Sequence, residues 1–391
     1  MAANAKPRDV VVPCVQGHRV RLGRGRRFWR SARCPVCRSP VDPTRRHRLV
    51  RWTANLRRPA SRSTIDRGLW WGTAVYSGVT LLALAMIWLW SDLWWPATTL
   101  LFGPRWVLLV PLMGLVPLAL RRDRAITVPL AVIGVLLLGP VVGLRTGWRD
   151  LLRSEDPAGD LRVASFNVAG GESITKGPTA LMLEWDTDLA AFQECRGAFR
   201  EAVSFLSDFH TDVRNDLCLV SRFEILEVRQ MERESFRLAG GSALVMTYVL
   251  DIEGEEVYLT NLHLETPRAG LTLMREGDLE RGIDRMSEKS ALRAIELRAA
   301  RGWVGQFVGP SLVVGDFNTP AESTIYREVW SDWQNSFSLL GHGLGGTRLN
   351  GWIRARIDHI LVDDDWIVIG AELGRDVGSD HRPILATVRR D

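Results

Sequence analysis

This chain lacks several things. Its first 68 residues are too polar and too rich in arginine to hold the apolar core of a secretory signal peptide. It has no internal repeat, which excludes solenoids and propellers. It has no glycine-rich loop of the P-loop or dinucleotide type, which excludes those ways of cradling a nucleotide. Cysteine is scarce, with five residues in 391: Cys14, Cys34 and Cys37 lie early, and Cys195 and Cys218 lie far downstream. No ionisable residue sits deep inside a long apolar segment, so the usual mark of a transport path is missing.

What is present is asymmetric. Residues 1–150 carry 24 Lys+Arg and 6 Asp+Glu, a net charge of +18, whereas residues 151–391 carry 26 and 39, a net of −13. The formal charge of +5 describes neither half. An acidic second half argues against a polyanionic duplex as its substrate, which would call for basic phosphate contacts.

Residues 1–68 form a basic segment. Within it, Cys14-x3-His18 and Cys34-Pro-Val-Cys37 place two pairs of soft ligands on two short turns, a pattern that suits tetrahedral Zn2+ and resembles a small zinc ribbon over residues 14–37. The alternative is a basic tail with reduced thiols. Residues 42–68 read as a juxtamembrane linker drawn to anionic lipid.

Three apolar segments follow, at about 69–90, 101–120 and 125–144, and read as transmembrane helices of roughly 20 residues. Trp70, Trp71, Trp88, Trp90, Trp94 and Trp95 flank the first like an interfacial belt. Arg121, Arg122 and Arg124 make the second connecting loop basic, and the first has no Lys or Arg. The positive-inside rule then puts residues 1–68 and 121–124 in the cytoplasm and everything after about residue 145 outside. The protein is thus expected to be a multi-pass protein of the cell membrane. Were the second segment not to cross, the second half would be cytoplasmic.

Residues 145–160 read as a linker, and 161–391 as a mixed α/β domain with alternating strand and helix patterns. Polar residues recur where its strands end: Asn167, Glu194, Asn261, His263, Asp316 and Asn318 in SLVVGDFNTP, Asp358, and Asp380 with His381. A single acid or amide there ordinarily caps a turn. Six such motifs in one domain call for a site.

In this order, the QE, LH, GDFN and SDHRP motifs resemble the endonuclease/exonuclease/phosphatase superfamily. The resemblance covers about Leu161 to Arg389. It implies a four-layer α/β sandwich, two mixed sheets flanked by helices, and a Mg2+- or Mn2+-dependent phosphodiesterase or phosphatase. It implies Glu194 as metal ligand with Asn167 beside it, Asp380 binding metal directly or through water, and His381 as the base near its ordinary pKa. Asp358 is expected to orient that histidine, Asp316 and Asn318 to orient water and phosphoryl oxygens, and His263 to donate to a phosphoryl oxygen. His359 is expected on the opposite face, and Cys195 is expected to face away from Glu194. Cys195 and Cys218 either pair or remain buried thiols. The expected substrate is a phosphoester, whether lipid-linked, small-molecule or nucleic acid, with membrane anchorage favouring the first two. The competing readings are an extracytoplasmic nuclease and a non-catalytic sensor or scaffold that binds phosphate esters while its N-terminal segment engages a cytoplasmic partner.

Overall fold

The computed structural model describes residues 10–13, 19–22, 33–34, 36–38, 64–147, 160–350 and 353–391. The chain falls into two compact units, Met1–Tyr76 with Leu112–Ala131, and Ser77–Pro111 with Val132–Asp391.

In the first unit, Val10–Pro13 pairs antiparallel with Arg19–Leu22. Cys14 and His18 lie outside the described residues. Cys34 is buried at a turn closed by the Arg38 N–H donating to Cys34 O at 2.8 Å. Trp70 Nε1 donates to Asp123 Oδ2 at 3.0 Å, and Asp123 also accepts from the Ala125 N–H.

Two helices are long and apolar enough to cross a membrane, Thr64–Trp90 and Arg124–Val141. The segment expected as a straight span at 101–120 is a bent pair. Trp95–Phe102 and Arg105–Arg122 meet at 86°. Pro104 disfavours helical backbone at the residue before it, and Gly103 is extended, with ψ 175°.

In the second unit, the end of each long helix is tied to the α/β domain. Asp92 accepts from Arg293 at 2.9 Å, from Ser323 at 2.6 Å, from Thr324 at 2.7 Å and from the Ile325 N–H at 3.1 Å. Arg105 donates to Val141 O at 2.8 Å and to Glu322 at 3.3 Å. The start of the expected linker, Arg145–Thr146, pairs as a short strand with His342–Gly343.

The α/β domain is the expected sandwich. Its main strands are β1 Leu161–Asn167, β2 Leu189–Gln193, β3 His210–Arg214, β4 Leu217–Ser221, β5 Glu224–Gln230, β6 Leu244–Ile252, β7 Glu255–His263, β8 Ser311–Asp316, β9 Asp358–Val362, β10 Trp366–Leu373 and β11 Ile384–Arg390. One six-stranded sheet runs β10-β11-β1-β2-β4-β3. The other runs from the two-residue strand Gln334–Asn335 through β9-β8-β7-β6 to β5. The core between the sheets takes every second residue, such as Leu161 and Val163 of β1, Leu312 and Val314 of β8, and Ile360 and Val362 of β9. The other faces are covered by helices: Pro178–Trp185 and Gly197–Ser204 on the first sheet, Leu279–Val304 and Thr324–Trp330 on the second.

Candidate active site on the rim of the sandwich

The same alternation that builds the core also builds the site. Residues that continue the inward series past the last apolar position are polar: Asn167 after Val163, Asp316 after Val314, and Asp358 ahead of Ile360. β1 runs parallel to β2, and β7 parallel to β8, so their C-terminal ends share one rim. Register then sets the neighbours, with His263 opposite Asp316 and Asp316 opposite Asp358.

Asn167, Glu194, His263, Asp316, Asp358 and His381 come together here. Asn167 Nδ2 donates at 3.1 Å to Glu194 Oε1 and at 3.1 Å to Asp316 Oδ2, bridging the two sheets. His263 Nε2 lies 3.8 Å from each of the same two oxygens. His381 Nδ1 lies 2.9 Å from Asp358 Oδ2, and His381 Nε2 lies 3.7 Å from Asp316 Oδ2. A carboxylate only accepts, so Nδ1 carries the hydrogen and Nε2 faces the site. Among the described residues, Asp316, Asp358 and His381 also form a buried group of metal-ligand type. Because Asp358 and His381 are hydrogen-bonded to each other, their pairing reads as an oriented base.

Asn167 and Asn318 are turned away from the expected roles, and Asp380 is divided between an ion pair and the site. Asn167 Oδ1 accepts from the Ala169 N–H at 2.9 Å, so this amide offers its donor side to the carboxylates and positions them. Asn318 is turned to the backbone. Its Nδ2 donates to Leu264 O at 2.7 Å, and its N–H donates to Asp316 Oδ1 at 2.8 Å. Asp380 Oδ2 is engaged by Arg348 at 2.5 Å. Its Oδ1 is buried with no hydrogen-bond partner, 4.0 Å from His381 Nε2.

The electrostatics correct one expectation. Burial pushes the Asp316 carboxyl up and the facing Asp358 pushes it further, to about 6. Burial pulls the His381 imidazole down, but Asp358 and Asp316 outweigh this and raise it to about 9, above its ordinary value. The ring therefore holds its proton more tightly than an isolated histidine, because two carboxylates face it. A hard divalent cation fits this donor set. The oxygens of Glu194 and Asp316 face one another across Asn167, Asp316 is buried with an excess of negative charge around it, and Asp380 Oδ1 has no partner.

Glu194 has φ +48°, an unusual backbone for a side chain of this size. The turn is held by a disulfide between Cys195 and Cys218, and by the Cys195 N–H donating to Asp216 O at 2.9 Å. Cys195 packs into the core on the outer face of the first sheet, away from Glu194. His359 likewise points to the opposite face, where Nε2 meets Thr319 O at 2.9 Å and burial pushes its pKa down to about 4.

Sequence reasoning missed four supporting groups. Thr347 Oγ1 accepts from the Asp358 N–H at 3.1 Å. Arg348 pairs with Asp380. Ser379 Oγ donates to Asn167 O at 2.8 Å and accepts from the His381 N–H at 3.0 Å. Gln193 Nε2 donates to Asn261 Oδ1 at 2.7 Å, making Asn261 part of a buried tie between the sheets. Two of these had a signal, Gln193 in the QE motif and Ser379 in the SDH run.

Two mixed sheets flanked by helices, with carboxylates and imidazoles gathered at one rim, define an α/β sandwich of phosphoesterase type. The sequence matches the Endonuclease/Exonuclease/phosphatase family over residues 164–381, more than half of the chain, and the chain belongs to that family, whose members are hydrolases acting on phosphoesters. No curated protein matches the sequence. Among solved structures, it is similar to D. rerio TDP2 in complex with a single-strand DNA product, at 17% identity over 59% of this chain and 99% of that one, TM-score 0.47. It is also similar to truncated Caenorhabditis elegans TDP2, at 16% identity over 59% and 98%, TM-score 0.45. A third is an endonuclease/exonuclease/phosphatase from Beutenbergia cavernae, at 15% identity over 59% and 72%, TM-score 0.42.

Proposed function

We propose that this chain is a membrane-anchored, outward-facing, metal-dependent phosphoester hydrolase that uses a histidine-activated water. One observation carries the reading: the Asp358–His381 pair aims its free ring nitrogen at Asp316, beside Glu194 and His263.

Glu194 and Asp316, with Asp380 Oδ1 at the edge, would hold a Mg2+ or Mn2+ ion. Such an ion, when bound, neutralises phosphate charge and opposes the protonation of His381. Asn167 keeps the two carboxylates apart and in place. Asp358 fixes the tautomer, so that neutral His381 presents Nε2 to a water. As the water oxygen attacks phosphorus, its proton passes to Nε2 and the bond from phosphorus to the leaving oxygen breaks. His263 would donate to a phosphoryl oxygen as charge builds there, a role its Nε2, 3.8 Å from Glu194 and Asp316, supports.

Membrane anchorage is supported by the two long apolar helices, and sidedness by how their ends are held. The residues after Trp90 are tied to the α/β domain directly, and Val141 through Arg105. Two helices whose C-terminal ends lie on one side of a bilayer need one return crossing between them. Only Arg105–Arg122 is available, and its 18 residues, at about 1.5 Å each, reach roughly 27 Å. With the basic residues 1–68 and 121–124 inside, residues 145–391 lie outside, a compartment that suits the Cys195–Cys218 disulfide. For the N-terminal segment we keep the zinc ribbon of Cys14, His18, Cys34 and Cys37, supported by the turn at Cys34–Arg38, with metal content of the purified chain as its measurement.

The test is turnover of a soluble aryl phosphodiester and monoester by the full chain in detergent with Mg2+. Hydrolysis that EDTA abolishes and His381→Ala lowers by about 10³-fold is the expected result. Hydrolysis that His381→Ala leaves near the unaltered rate overturns the assigned base. Protease accessibility on intact cells reads the side.

A further inference from the structure

A second site of opposite charge lies where the Gly103–Trp106 bend meets the α/β domain. A cavity of about 430 Å³ opens between the Gly103–Trp106 bend, Val142 at the end of the last apolar helix, and the α/β domain at Glu322, Arg354 and Arg356. Glu322 is its one acid. Three guanidinium groups converge on that carboxylate: Arg105 at 3.3 Å, Arg356 at 3.2 Å and Arg145 at 3.8 Å. Among the described residues, no second carboxylate forms an ion pair with these arginines. The cavity wall itself carries Arg105, Arg356 and the exposed Arg354 against the one acid, an excess of two positive charges, and Arg145 adds to the cluster from outside the lining. Arg105 and Arg356 are buried on the cavity wall, whereas Arg145 is part-exposed, with its Nε unpartnered. Two buried guanidinium groups sharing one carboxylate suit a further counter-ion.

The remaining wall is apolar, made by Trp106 and Val142 among others. On the anchored reading, the bend at Gly103 and the end of the helix at Val141 both lie where chain leaves the bilayer. Cations over an apolar wall at that depth match one kind of molecule, a phospholipid whose glycerol backbone meets the tryptophan and whose phosphate meets the arginines.

We propose that this cavity binds the phosphodiester head group of an anionic membrane lipid and seats the domain on the outer face of the bilayer, apart from the hydrolytic rim. None of its lining residues belongs to that rim. The proposal rests on the anchored reading and is independent of the hydrolase reading.

The test uses the full chain in neutral detergent, titrated with short-chain phosphatidylglycerol, phosphatidylcholine or inorganic phosphate. Melting temperature and native mass spectrometry report binding. Phosphatidylglycerol should bind and stabilise more than either of the others. Arg354→Glu should weaken that binding by about tenfold or more, Arg354→Lys should retain most of it, and turnover of the soluble diester should be unchanged in both. Should Arg354→Glu fail to fold, Arg354→Ala makes the same comparison. Equal binding of phosphatidylcholine or phosphate, or full binding by the Arg354 variants, overturns the proposal. Failure of the hydrolase reading looks different, as no turnover in the unaltered chain with lipid binding intact. Failure of the anchored reading would appear as a chain recovered without detergent.

Discussion

Asp316 and Glu322 are both buried carboxylates in one domain, and they have been driven in opposite directions. Asp316 is raised to about 6 and Glu322 is lowered to about 2. Burial raises both, so desolvation does not distinguish them. Their neighbours do. Asp316 faces Asp358, whereas Glu322 is met by Arg105, Arg356 and Arg145. A carboxylate surrounded by guanidinium groups is a clamp, holding Arg105 and Arg145 to the domain. A carboxylate with too little positive charge around it is a place for a cation. The same burial thus yields a structural joint in one place and, on the proposed function, a reactive one in the other.

The largest expected effect breaks the reactive side. His381→Ala should lower turnover of the soluble diester by about 10³-fold, the scale of a lost general base, and chelation of the metal should remove activity altogether. Next comes a pair of substitutions that separates the two carboxylates. Glu322→Gln leaves three arginines with no acid and should cost roughly 3–5 kcal/mol in denaturant unfolding. Asp316→Asn relieves a like-charge contact and should leave stability unchanged or raised in EDTA while abolishing turnover. Equal losses of stability in both variants would remove the distinction.

The pH dependence of stability in EDTA sharpens the same contrast. Glu322 has a depressed pKa, so its contribution is complete above about pH 4.5 and is lost as pH falls toward 2. Asp316 has a raised pKa, so the domain is favoured where this group is protonated, and that stability is lost as pH rises from about 4 through about 6. Each swing is on the order of 3 kcal/mol. His359, lowered to about 4, acts in the opposite direction over the same range, so the reading is a difference: in EDTA the stability of the unaltered chain relative to Asp316→Asn should fall as pH rises from about 4 through about 6, and Mg2+ should lift the unaltered chain on the neutral side. A difference that stays constant over that range would contradict the raised Asp316.

Much of the reactive side was legible because strand alternation writes it into the chain. Val314 and Asp316, or Asp358 and Ile360, share a face, so a polar residue at the end of an inward series must sit on the rim. The cation excess at Glu322 was not legible. Its partners come from positions 105, 145 and 356, and nothing local links an arginine before an apolar helix to an acid two hundred residues later. Asn167 shows a different gap. Its position was readable, but which end of the amide faces the site depends on the Ala169 N–H. The bend at Gly103 was signalled by Pro104, yet hydropathy alone ran straight through it.

The smallest expected effect concerns Arg348, which no motif announced. Its guanidinium pairs with Asp380 at 2.5 Å, and its charge pulls the His381 pKa down against Asp358 and Asp316. Arg348→Ala removes that opposition, so His381 should hold its proton to higher pH. Since only the neutral ring accepts a proton from water, the ascending limb of the turnover–pH profile should move to the alkaline side, by less than about one unit. The plateau should fall only modestly, because Arg348 touches neither Glu194 nor Asp316 and meets the proposed metal set only at its edge, through Asp380 Oδ2. Asp358→Asn supplies the opposite sign: it deletes the chief group that raises His381, so the limb should move to the acid side while the plateau falls as the ring loses its orienting partner. A profile recorded with Mg2+ from pH 6 to 10 reads both. A limb that stays put in Arg348→Ala, or moves to the acid side, would mean that His381 is not the titrating base.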